Sequence, residues 1–333
     1  MTRVWGWALV LGLVGCVVGC DAVPLSAPLW SEGERREESG RYLNEGLRAI
    51  EEGDQERADR LLQLAVTLQG SEGEGIVAVA QKLQEKGLTD KAAMLLKNAL
   101  EEPPFRHDPY ILGALARMYQ MLDYQKEAQE SQKRAEELVR DVQNRSTASF
   151  PEDSPTRLET IQELLSAGHY CEEFGKDSEK AVTLLRAAVA LEPGYPRQRT
   201  SLDLRALSTL GTLLARHPTL AEDRNESVRL TRTAAQEAPH GAAYLHAYGF
   251  ALLQKGDLSG ARRVLREAAN LDTDNAEVHF HLGQTYARQG LYSQAAIELD
   301  RALVLRPQHT GAAAARKTLP KPLPALASDL EEE

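Results

Sequence analysis

The sequence predicts an all-α protein, a solenoid of about seven helix-turn-helix hairpins. Three observations predict it. Ala, Leu, Glu, Gln and Arg dominate the 333 residues, and only 5% are aromatic; the dominant types are strong helix formers. Beyond residue 20 there is no continuous β-branched run of the kind that buried parallel strands require. Small residues also recur at a fixed interval. In "LGQTYARQGLYSQAAIELDRALVLRP", Leu282 to Pro307, the residues Gly283, Gly290, Ala295 and Ala302 stand thirty-four positions after Gly249, Gly256, Ala261 and Ala268. A period of this length is the mark of a repeat array.

The chain opens with "MTRVWGWALVLGLVGCVVGCDAVP". Arg3 precedes an apolar run from Val4 to Gly19. That run is shorter than the ~20 residues a membrane-crossing helix needs, and it fits a signal-peptide core, residues 1–19. It ends twice in a small residue followed by cysteine, Leu13-Val14-Gly15-Cys16 and Val17-Val18-Gly19-Cys20. Both tetrapeptides resemble the lipobox of bacterial lipoproteins. The resemblance implies cleavage before the cysteine and acylation of its thiol. Cys20 is the preferred site, because the apolar run stops there and Asp21 begins a polar stretch. Cys16, behind the better-matched Leu13, is the alternative. Residues 20–38 read as a flexible tether, with Pro24, Pro28 and a charged run.

The repeat frame then runs through the chain without a gap from Ala242 to His309. It also fits Gly46, Gly53, Ala58, Leu62 and Ala65, and one period later Ala80, Gly87, Ala92, Leu96 and Ala99. Ala116, Tyr119, Tyr124, Ala128 and Ala135 continue it after a two-residue insertion. Two looser copies follow around Gly168, Ala181 and Ala188, and around Gly211, Ser227 and Ala234. Residues 39–142 thus hold three copies and 161–309 four. The Ser/Pro-rich 143–160 reads as a loop or hinge, 310–318 as a capping helix and 319–333 as a flexible acidic tail.

Within a copy, Gly290 suits the left-handed turn that ends a first helix, and Pro307 stops a second one. Gly283 and Ala295 leave room where the two helices cross. Leu282, Tyr286, Ile297 and Leu299 are expected to fill the seam.

This spacing resembles the tetratricopeptide repeat over about residues 39–309. The consensus tryptophan is absent; Tyr42, Ile76, Leu112, Leu165, Leu207, Leu245 and His279 stand in its place. The resemblance implies a right-handed superhelix whose concave face is built by the first helix of each copy. The resemblance also implies that this face binds protein or extended peptide partners. Carried onto this chain, its C-terminal part comprises Arg205, Thr212, Arg216 and His246, followed by Phe250, Phe280, Gln284 and Arg288. Ser208 and Leu253 belong to the same set, as do Leu43, Glu74, Gln81, Tyr110, Glu172 and Glu173 upstream. Charge along this set runs from acidic to basic, which would suit a partner with opposite ends.

Function classes narrow further by exclusion. The net charge of −10 argues against general nucleic-acid binding. Three cysteines, Cys16, Cys20 and Cys171, build neither a disulfide scaffold nor a CxxC zinc pair. His279 and His281, two apart on one helix, point to different faces, so no metal site is expected, and no cofactor. "DTDNAE", Asp272 to Glu277, lacks the ligands of a calcium loop and suits a helix cap. No GxSxG, HExxH or phosphate loop occurs. The expectation is a non-enzymatic, lipid-anchored scaffold of the cell envelope, facing the periplasm or exterior and supporting assembly or secretion machinery. A self-assembling structural protein, or an enzyme with a cryptic groove site, are the alternatives.

Overall fold

The computed structural model describes residues 32–69, 73–102, 105–145, 155–191, 199–217 and 221–320. The signal segment, Cys16 and Cys20, and the tail from 321 onward lie outside the described residues.

Among those residues the chain is wholly helical, with fifteen helices. The first three pairs are α1 (Glu32–Glu51) with α2 (Gln55–Gln69), α3 (Gly73–Glu85) with α4 (Thr89–Ala99), and α5 (Pro109–Met121) with α6 (Gln125–Arg145). Next come α7 (Pro155–Glu173) with α8 (Ser178–Ala190), and α9 (Ser201–Arg216) with α10 (Ala221–Glu237). The last pairs are α11 (Ala242–Lys255) with α12 (Leu258–Leu271) and α13 (Ala276–Arg288) with α14 (Tyr292–Leu305). A short α15 (Thr310–Thr318) follows. Each pair packs as a hairpin, and from α3 to α15 successive odd-numbered helices also lie side by side. The result is a solenoid of the tetratricopeptide type whose inner face is made by the first helices.

Residue choice explains the hairpins. A side chain at Gly249 or Gly283 would place its Cβ 2.6 Å from Leu265 Cγ or 2.8 Å from Leu299 Cγ. Glycine therefore lets the paired helices approach across a leucine. Ala295 and Ala302 are fully buried, and Ala302 meets Ala312 of α15, which covers the end of the stack. Gly256 and Gly290 hold φ of +92° and +76°, the left-handed conformation that closes a first helix without a Cβ clash.

Four expectations are corrected. Helix α1 begins at Glu32, so residues 32–38 are helix rather than tether; their Glu and Arg are helix formers and extend the first hairpin forward. The 143–160 segment is helical at both ends, since α6 runs to Arg145 and α7 starts at Pro155, a favoured first helical position for proline, while 146–154 lie outside the described residues. Ile297 is 67% exposed and fills no seam; the contact falls to Leu282 and Leu299, at 2% and 0%. Leu43 and Leu253, placed on the concave face by repeat position, are core residues.

Candidate ligand-binding groove

The inner face is positioned by caps and buried polar contacts. Thr200 and Asp203 form a reciprocal capping box at the start of α9. The Asp203 carboxylate is buried and held bidentately by Arg157 of α7, at 2.8 and 3.3 Å. Burial alone would raise the Asp203 pKa, but bonds from Arg157 and Thr200 pull it below the usual carboxylate value. Arg157 also donates to the Leu191 carbonyl at 2.7 Å, so the start of α9 is fixed to α7 and to the end of α8.

At the other side of the groove, Asp108 caps α5, accepting from the Tyr110 and Ile111 amides at 2.9 and 3.1 Å. The Ser166 hydroxyl of α7 donates to the same carboxyl at 2.6 Å. Burial raises the Asp108 pKa despite these donors and the nearby His169. A Cβ on residue 73 would lie 2.4 Å from Asp108 Oδ2, so glycine is required where α3 meets this cap.

Ion pairs cross the groove between helices far apart in sequence. Glu74 of α3 binds Arg205 of α9 at 2.7 Å and lies 2.7 Å from His169 Nε2 of α7. His169 is raised above its ordinary pKa: burial lowers it, but Glu74, helped by Glu172 and Glu173, more than offsets that. Arg216 pairs with Glu172, and the Tyr110 hydroxyl donates to Glu173 at 2.6 Å. Arg117 and Gln81 reach Glu173 as well, at 3.4 and 3.1 Å. Burial, then Glu173, pushes the Tyr110 pKa well up. The acidic-to-basic gradient expected along the groove is therefore neutralised internally, because the solenoid brings its early carboxylates onto its later arginines.

The far end is aromatic. His246 Nε2 of α11 and His281 Nδ1 of α13 are 2.8 Å apart, one donating and the other accepting. His281 also packs at a tilt against Phe250 at 4.5 Å and Phe280 at 5.1 Å between ring centres, and Phe280 continues to His309 at 4.6 Å. Desolvation in this stack holds His281 well below its ordinary pKa, aided by the proximity of His246, Arg216 and His309. His279, on the opposite face, is bonded to Glu298 at 2.7 Å and to the Thr273 carbonyl at 3.0 Å. Asn275 caps α13 by accepting from Glu277 and Val278.

Between these walls lies a cavity of about 790 Å³ that spans the first helices of six pairs, α3 to α13. Of the eight expected concave residues, Thr212, Arg216, His246 and Phe250 line it together. Arg205 closes onto Glu74 beside it. Phe280 stands one ring behind His281, and Arg288 is turned to the Leu253 carbonyl at 3.1 Å. Gln284 is half-buried outside the lining. His169, Thr209, Ala243, Ala247 and His281 also line the cavity. Repeat position did not select them, though the four-residue spacing of Ala243 and Ala247 was a usable sign.

With this geometry the class of the molecule is defined, a helical-hairpin solenoid with a concave, mixed-polarity groove. Residues 249–290 match a family model described as TPR repeat, and residues 276–309 match one described as tetratricopeptide repeat. The last two hairpins are thus tetratricopeptide repeats by sequence as well as by shape. Similar solved structures include YrrB, a TPR protein with an unusual peptide-binding site (18% identity, 67% of this chain and 97% of that one, TM-score 0.37). A tetratricopeptide repeat protein from Parabacteroides merdae is 13% identical over 84% of this chain and 98% of its own, with a TM-score of 0.47. PilW, a type IV pilus biogenesis factor, is 14% identical over 72% and 96%, with a TM-score of 0.42. At these values the likeness carries nothing about ligand or partner. No curated protein matches the sequence.

Proposed function

We propose that the protein is a scaffold that holds an extended polypeptide partner in the cavity between α3 and α13, anchored to the cell envelope through a lipid on Cys20 or, in the alternative, Cys16. The single observation that carries the binding role is the cavity itself. It is about 790 Å³, open along first helices and lined by both polar and aromatic side chains. Solenoids present such concave surfaces to partners, and a pocket of this size with a few convergent polar groups suits a ligand. Support for the anchor is the apolar leader ending in two small-residue–cysteine steps. A support role in assembly or secretion machinery is the narrower form of this reading.

The test uses random twelve-residue peptides displayed and selected on the full chain in detergent. Ala247→Trp fills the cavity floor, and affinity for the selected peptides should fall tenfold or more with helicity unchanged by circular dichroism. Unchanged affinity would place binding elsewhere. For the anchor, a Cys16→Ser/Cys20→Ser double variant should move from the membrane to the soluble fraction and lose incorporation of a labelled fatty acid.

A further inference from the structure

We infer that the occupant of this cavity is an uncharged, extended peptide segment bound through its main chain, along α9, by the hydroxyls of Ser208 and Thr212. This rests on the groove reading above and states how the groove recognises its ligand.

Ser208, Thr209 and Thr212 are half-buried and line the cavity. In mid-helix, a threonine usually turns its hydroxyl back to the carbonyl one turn earlier. Thr67, Thr183, Thr231, Thr233 and Thr285 all do so, at 2.8–3.0 Å. No hydroxyl of the α9 trio makes a hydrogen bond to any described residue, so these groups are left to whatever enters the cavity.

Their spacing selects the ligand. Ser208 and Thr212 are one turn apart, about 6 Å along the helix axis. An extended chain presents the same edge of its backbone every second residue, about 6.7 Å apart. Two successive rungs therefore fall nearly in step with alternate peptide groups. Beside α9, its packed neighbour α11 offers Ala243 and Ala247, also one turn apart, so no long side chain at these two positions blocks a backbone lying over the two helices.

Charge points the same way. The carboxylates that line the cavity, and Glu74 beside it, have partners within the molecule: Glu74 has Arg205, Glu172 has Arg216, Glu173 has Tyr110, and Glu277 has Arg306 at 2.8 Å. A charged ligand would compete with these pairs for its contacts, whereas a main chain bound by hydroxyls competes with none. Phe250 and His281, tilted against each other with ring centres 4.5 Å apart, then give one apolar or aromatic side chain of the segment a ring surface to pack on.

The test compares the full chain with Ser208→Ala/Thr212→Val, which keeps volume and removes both hydroxyls, against the peptides selected as above. Two lost hydrogen bonds should weaken every selected peptide about tenfold or more, whatever its sequence. N-methylation at alternate positions of a selected peptide should reproduce that loss, and affinity should change little with salt. The thermal midpoint should stay put, since neither hydroxyl bonds within the protein. If the double variant binds as well as the parent while Ala247→Trp abolishes binding, the main-chain mode is wrong and the groove reading survives. Peptides enriched in charge with steep salt dependence would also overturn it. If no peptide is selected, or Ala247→Trp is also without effect, both readings fall.

Discussion

At the scale of single residues, the histidines set opposite demands on pH. His281 is held below its ordinary pKa, about 6.5, by desolvation and by His246, Arg216 and His309. In the unfolded chain it takes up a proton near 6.5 that the folded state refuses. Its contribution is therefore intact above that pH and is lost as pH falls below it, at up to about 1.4 kcal/mol per pH unit. His279, raised chiefly by its bond to Glu298, and His169, raised by Glu74 against the effect of burial, act in reverse. Their stabilisation is complete below 6.5 and declines as pH rises through their folded values. Stability should thus peak near pH 6.5 among these groups. In a pH series of urea midpoints, His281→Phe should flatten the acid limb and leave the alkaline limb in place; an unaltered acid slope would remove His281 from this role.

At the scale of the element, the ends of first helices show where local rules are met and where they are strained. Gly53, Gly87, Gly256 and Gly290 hold positive φ at their turns, but Asp123 and Lys176 do so at theirs, with φ of +62° and +51°. In α7 the closing turn is one residue longer: Asp177 N bonds back to Cys171 O at 2.9 Å, which puts Lys176 rather than Gly175 in the left-handed position. A left-handed lysine costs about 1–2 kcal/mol, and glycine there restores most of it against an entropic cost of about 0.5–1 kcal/mol. Lys176→Gly should raise stability by about 0.5–1 kcal/mol in urea titration, and a loss of stability would show that the turn is not strained. These elements were largely legible in sequence, since a repeat of small residues and turn glycines marks each crossing and each turn. The exposure of Ile297 was not legible. Helical period places it near the seam, but it lies on the solvent side of α14, as the equivalent Arg263 does on α12, so its apolar type pointed the wrong way. Likewise helix continuation into 32–38 depends on propensity added to an existing nucleus, which a search for an apolar stripe passes over.

At the scale of the whole molecule, the groove follows from how far the stack curves. Residue type and repeat position were enough to nominate Thr212, Arg216, His246 and Phe250, because first-helix positions recur. They were not enough to show that Glu74 and Arg205, 131 residues apart, meet. That meeting depends on rotation summed over three hairpins, which no local pattern encodes. The pair is partly exposed, with side chains 18% and 42% accessible for Arg205 and Glu74, so its effect on stability is small, about 1 kcal/mol or less. Arg205→Glu, setting like charges face to face, should increase the radius of gyration in small-angle scattering at low salt, with partial recovery at high salt. An unchanged radius would mean that hairpin packing alone fixes the bend.

The same Glu74–Arg205 link bears on how the protein matures during synthesis. Each hairpin is closed by contacts between neighbours in sequence and can collapse as soon as it leaves the ribosome, the fast regime of low contact order. The bowl itself cannot shut until α9 has emerged to meet a helix made more than a hundred residues before. The nascent chain therefore passes through a stage in which the bowl is incomplete, and its inner face is on view to chaperones or to a first client before the final shape exists.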